Sequence, residues 1–163
     1  MTPEFSRPLE VASVPPDGRV VEVVANADER TRLAARFGLP AIDSLACRFT
    51  LRPLAGGGLA AEGALAASVR HVCVVSNEDF AADVAEDFAL RFVPLAALSA
   101  EIAVDGPDDI PITGSTVDLG EAAAEQLALA LDPFPRHPDL PDPPEAEDAG
   151  PGSAFAALKH WRA

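Results

Sequence analysis

Hydrophobic and polar positions alternate most regularly between residues 44 and 75. From Leu45 to Leu51 the odd positions are Leu45, Cys47, Phe49 and Leu51, with Arg48, Thr50 and Arg52 between or beside them. A period of two with one apolar face predicts a half-buried strand. Gly56, Gly57 and Gly58 supply a loop that tolerates positive φ. A second strand follows through Leu65, Val69, Cys73 and Val75, and the two should pair as an antiparallel hairpin. A third strand carries Val84, Phe88, Leu90 and Phe92 on one face and Asp83, Asp87 and Arg91 on the other. Glu86 interrupts its apolar row, which places the first half of that strand at a sheet edge.

On either side of this strand-rich middle the period changes. Residues 5–16 hold a short apolar alternation (Phe5, Leu9, Val11) ended by Pro15-Pro16 and read as an edge strand, and Arg19 to Val24 is Val-rich and β-prone. Asn26 then opens a helix with Glu29 three positions on, a capping-box spacing, and the helix runs to Phe37 before Gly38. Residues 101–113 form a weaker β segment with a turn at Asp105-Gly106-Pro107. Asp118 starts a second helix whose narrow apolar stripe is Leu119, Ala123, Leu127, Ala130 and Leu131, stopped by Pro133. The proline-rich stretch 137–152 is acidic and reads as a disordered linker. Residues 153–163 form a short amphipathic segment with Phe155, Leu158 and Trp161 at helical spacing.

Strands in the middle, a helix towards each end and no regular βαβ alternation define an α+β domain over 1–136. The expected architecture is a curved antiparallel sheet, long enough in its strands to curl towards a partial barrel, packed with two main helices and followed by a short C-terminal helix. Phe49, Leu51, Val69, Phe88, Leu90, Phe92, Leu119 and Leu127 are its expected core. The chain is 48% hydrophobic, enough for such a core, although Ala and Val dominate and there is no Tyr.

Charge narrows the partners. Twelve Lys+Arg stand against 26 Asp+Glu, a formal −14, so the chain repels polyanions at long range and favours basic proteins. Direct RNA binding is disfavoured unless Arg48, Arg52, Arg70 and Arg91 gather on one face. Two cysteines make no disulfide framework, the first dozen residues lack a signal-peptide apolar core, and no apolar run approaches a bilayer span. The expected location is the cytoplasm.

Chemistry is sparse. His71 and Cys73 share a strand face, so a Cys–His pair is conceivable, but cysteine more often serves as a small buried hydrophobe. His137 and His160 read as solvated surface residues. There is no C-x-x-C, H-x-x-x-H, EF-hand or phosphate loop, and Glu78, Asp79, Asp83, Glu86 and Asp87 read as a solvated turn rather than a cation site. No catalytic residue, cofactor or metal site is expected.

Two segments carry a resemblance. "VRHVCVVSNEDF" (69–80) and "VDLGEAAAEQLALALDPFPRHP" (117–138) resemble the signatures of the bacterial YceD family of large-subunit ribosomal RNA accumulation proteins, and "EFSRPLEV" (4–11), "GLPAIDSLACRF" (38–49) and "FAALKHW" (155–161) fit a branch of it. The resemblance implies a non-enzymatic role in accumulating large-subunit ribosomal RNA, with a ribosomal or other basic assembly protein as partner. It also implies an interaction surface at matching polar positions: Arg70, Cys73 and Glu78 in the first signature, and Glu121, Glu125, Gln126, Asp132 and Arg136 in the second. Many relatives carry a C-x-x-C at the first signature and cysteines after the helix, which implies a metal site. Here Ser76 takes the second position and 133–138 has no cysteine, so no zinc is expected. Two other readings remain open: an acidic binding module or holdase for one basic client, and an enzyme using Cys73 and His71.

Overall fold

A computed structural model describes residues 3–98 and 106–142. Its elements run β1 (Pro8–Glu10), β2 (Arg19–Val24), α1 (Ala27–Phe37), β3 (Ala41–Pro53), β4 (Leu59–Val72), β5 (Asp79–Pro94), β6 (Asp108–Ile112), β7 (Thr116–Asp118) and α2 (Leu119–Ala130). The chain is α+β, as the pattern predicts.

The long hairpin is the centre of the main sheet. β3 and β4 pair antiparallel from Pro53↔Leu59 to Ala41↔Arg70, with an irregularity between Ile42 and Ser44 that leaves Asp43 unpaired. β2 and β5 flank them, both antiparallel, giving the order β2-β3-β4-β5-β6. At the turn Gly58 has φ +91°, and a Cβ there would lie 2.1 Å from the carbonyl oxygen of Phe92. Only glycine lets the next strand pass that close.

The sheet is not closed into a barrel, since β2 and β6 are its two outer strands. Nor is it wholly antiparallel. β6 pairs parallel with Leu90–Pro94, because the chain returns after a connection of about a dozen residues, the length a parallel crossover needs. Strand β6 covers only that end of β5. Among the described residues, 79–89 therefore form an edge, where the interruption at Glu86 places it, and the acidic residues from Asp79 to Asp87 lie along a strand, not in a turn.

Helix α1 is set by its ends. The Asn26 side chain accepts the Glu29 amide at 3.0 Å, and the Glu29 carboxylate accepts the Asn26 amide at 2.8 Å, completing the capping box. Gly38 takes the left-handed conformation at φ 67° and closes the other end. Helix α2 starts as expected at Asp118, whose carboxylate caps Gly120 and Glu121. It stops at Ala130, before Pro133, and its buried face is broader than the narrow stripe: Gly120, Ala122 and Ala124 are buried with Leu119, Ala123 and Leu127.

The inner face of the sheet and both helices enclose one core. Of the eight expected core residues, seven are buried and Phe88 is half-buried. Phe88 lies on the edge half of β5, spreads its ring over Gly63 and meets Phe49 edge-on at 5.8 Å. Cys47 is core, its thiol pushed up to about 12 by burial.

The amino-terminal segment differs most from the expected edge strand. Only Pro8–Glu10 is a strand, and it pairs with β7 in a separate two-stranded sheet. Phe5 is fully buried. The Ser6 hydroxyl and the Arg7 amide donate to the Asp118 carboxylate, and the Arg7 guanidinium donates to both Glu29 oxygens, at 2.7 and 3.0 Å. Gly120 permits this crossing, since a Cβ there would sit 2.7 Å from the Phe5 carbonyl oxygen. Residues 4–7 thus latch the first turns of both helices together.

Candidate functional site

The two signature segments meet at the far end of β4. The strand stops at Val72 instead of running to Val75, because Cys73 begins a turn. Its carbonyl accepts the Asn77 amide and its amide donates to the Glu78 carbonyl, both at 2.9 Å, with Asn77 left-handed at φ 58°. The segment after α2 then lies against this turn. The Val74 amide donates to Pro135 at 2.9 Å, and the His137 amide donates to the Cys73 sulfur at 3.3 Å. The Val75 and Ser76 amides reach the same sulfur at 3.4 Å. An aromatic stack, His71 to Phe80 at 5.7 Å and Phe80 to His137 at 5.4 Å, runs along the junction.

Converging donors set the sulfur's electrostatics. Burial pushes the Cys73 thiol up, but the Ser76 side chain and the amides of Ser76, His137 and Val75 outweigh it, holding the group down at about 6. At neutral pH the thiolate is favoured in the fold. It is 1% exposed, and its sulfur bonds go to amides, not to His71. His137, expected on the open surface, is instead part of the junction, its side chain 27% exposed. His160 and the expected C-terminal helix lie outside the described residues.

These donors do not make the metal centre implied by the resemblance. The ligand positions offer one sulfur already occupied by three amides, and the His137 ring is turned to Phe80. Among the described residues no group of three His, Cys, Asp or Glu is placed to hold a metal ion.

The eight expected surface residues fall in three places. Cys73, Glu78, Asp132 and Arg136 belong to the junction: Asp132 is exposed and accepts the Phe134 amide at 2.9 Å, and Arg136 donates to the Pro141 carbonyl at 3.0 Å. Glu121 and Glu125 lie within α2, roughly 10–16 Å along the chain axis from Asp132 at the residue rise of a helix. Glu121 takes the Arg36 guanidinium at 2.8 Å. The Glu125 carboxyl is held above its ordinary value by burial and then by Glu121, and Gln126 is half-buried beside it. Arg70 lies on the opposite, outer face of the sheet, 3.2 Å from Asp43.

Arg48, Arg52, Arg70 and Arg91 do share that outer face. They are interleaved with Glu22, Glu62, Asp83 and Asp87, and Arg91 is held by both oxygens of Asp109 at 2.6 and 2.8 Å. The face is mixed in charge, not basic.

Around the junction lies a run of exposed apolar side chains, Val74 at 56%, Val75 at 62% and Phe134 at 74%. Periodicity could not single these out, since a valine pair after a strand reads as more strand. The fold is thus an open-sheet α+β domain whose two signature segments meet at one end. Comparison with known proteins agrees: the family model described as "Large ribosomal RNA subunit accumulation protein YceD" matches residues 61–158, more than half of the chain, which includes both segments of the junction up to residue 138. The chain belongs to the YceD family. No curated protein and no solved structure gives a significant match.

Proposed function

We propose that the chain supports accumulation of large-subunit ribosomal RNA as a non-enzymatic cytoplasmic factor, acting through contact with a ribosomal or other basic protein of large-subunit assembly. The family match over 61–158 carries the reading. Two features support a protein partner over RNA: the formal charge of −14 and the interleaved carboxylates on the arginine-bearing face. Exposed Val74, Val75 and Phe134 beside Asp132 give the apolar centre and acidic rim such a contact uses. The Cys–His enzyme reading gains nothing from a sulfur already taken up by amides.

The test is a deletion strain complemented with wild type or with the Glu125→Lys/Asp132→Lys double variant, read by sucrose gradient and large-subunit ribosomal RNA. The variant should fold normally and fail to rescue, since both carboxylates are charged groups outside the core. Equal rescue would remove these two carboxylates as binding determinants. An unaltered gradient in the deletion strain would sink the ribosomal reading.

A further inference from the structure

A cavity of about 390 Å³ opens beside the junction, between the ends of the two helices. Phe37 and Gly38 bring the C-terminus of α1 to it, and Ala128 and Leu131 bring the C-terminus of α2. The C-terminal ends of both helices, where the dipole is negative, thus border one space. Asp132 lines the same wall, and among the described residues no Lys or Arg does. On the other side stands His71, only 5% exposed and without a hydrogen bond among the described residues. Among the described residues no fully buried side-chain nitrogen is left unsatisfied, so a ring nitrogen of His71 without a protein partner meets the open space of the cavity, where a ligand's donor can replace water. The remaining walls, among them Leu39 and Pro135, are apolar.

We propose that this cavity receives the side chain of a lysine from a basic polypeptide, its methylene stem against Phe37, Leu39 and Leu131 and its ammonium between Asp132 and His71. The proposal rests on the reading that a basic protein is the partner, and it names the group by which that protein is held. Three observations select the cation. Two helix C-termini and a carboxylate favour positive charge. Burial lowers the His71 pKa, against a smaller opposing pull from Asp132, so a neutral ring with one acceptor nitrogen faces the space. A lysine ammonium donates in three directions and can reach Asp132 and the His71 acceptor together, whereas the planar fork of arginine aims its donors within one plane.

The test is a titration of the full chain at low salt with Nα-acetyl-lysine methylamide, followed by NMR on the His71 ring and the Leu39 and Leu131 methyl groups. Saturable shifts are expected at all three. The arginine analogue should bind at least about five-fold more weakly, and the uncharged norleucine analogue should produce none. Asp132→Asn should weaken lysine binding by at least about five-fold while leaving the rest of the amide spectrum in place. Absence of saturable shifts, or equal binding of norleucine, would overturn the proposal. The chain's one lysine, Lys159, provides a second discrimination. Lys159→Gln should leave the affinity unchanged, and a rise would mean that the chain's own lysine occupies the cavity, which also overturns it. Because the titration uses purified protein, its failure is separable from the absence of a ribosomal RNA phenotype in cells.

Discussion

Two places in this molecule bind together segments more than sixty residues apart, and they do so in opposite ways. At the amino-terminal latch every polar group has a strong partner: Arg7 donates to both Glu29 oxygens and to two backbone carbonyls, and Asp118 accepts four donors over a fully buried Phe5. At the Cys73 junction the shared acceptor is sulfur, its bonds run to 3.4 Å, His71 has no partner among the described residues, and three apolar side chains are exposed. Charge-assisted, saturated networks hold a fold. Weakly bonded, unsaturated ones leave binding capacity for something else. The latch is structure, and the junction is where contact with a partner fits best.

If that contrast is right, damage should divide accordingly. The largest loss of stability belongs to Asp118→Ala, which removes a helix cap and strands two donors of the latch at once. About 2–4 kcal/mol should disappear from denaturant unfolding. A loss under about 0.5 kcal/mol would make the latch ornamental. Glu29→Gln comes next, at about 1–2 kcal/mol, because glutamine keeps one acceptor oxygen but turns an amide donor towards a group that itself donates, and the charge is lost. The Arg7 hydrogen bond holds the Glu29 carboxyl below its ordinary value. Its contribution is therefore present above the unfolded carboxyl pKa and lost as pH falls through the lowered folded value. Wild type should lose stability on acidification more steeply than Glu29→Gln does.

Much of this division was hidden from the sequence for a physical reason. β2, α1 with its capping box, and the glycine loop are local, and each is set by residues within a few positions of one another. Asp118 was legible as a helix cap for the same reason. Its second task, accepting from Arg7 at 111 residues' separation, leaves no periodic trace. Phe5 belongs in the sequence only to a short alternation with Leu9 and Val11 that reads as an edge strand, so nothing there marks it as core. The parallel docking of β6 depends on how the chain returns, not on its alternation. Within the candidate site, Cys73 and Asp132 stood out through the resemblance, while Phe37, Leu39 and Leu131 came into view only when the helix ends were seen to converge.

The junction should show its character through pH. Cys73 has a folded value of about 6 against an ordinary 9, so its stabilising effect is present above about 9 and is lost as pH falls towards 6. Unfolding measured from pH 6 to 9 should show stability rising with pH, and Cys73→Ser should flatten that rise. An unchanged slope in the variant would mean that the amides around the sulfur do not favour the thiolate. The smallest effect on stability is expected for Val75→Asp, within about 0.5 kcal/mol, since the side chain is already in water. The same change should abolish complementation in the deletion strain. Full rescue would break the assignment of contact to this end.

The half of β5 that β6 leaves uncovered has a bearing on how the protein behaves at high concentration. An uncapped strand is a template on which a second copy can add its own edge. From 79 to 89 the edge carries Asp79, Asp83, Glu86 and Asp87 and no Lys or Arg, so two copies approaching edge to edge bring like charges together. The carboxylates act as guards against self-assembly, a task separate from attracting a basic partner. Neutralising two of them, as in Asp83→Asn/Asp87→Asn, should let light scattering grow with concentration in a preparation whose thermal unfolding is nearly unaltered.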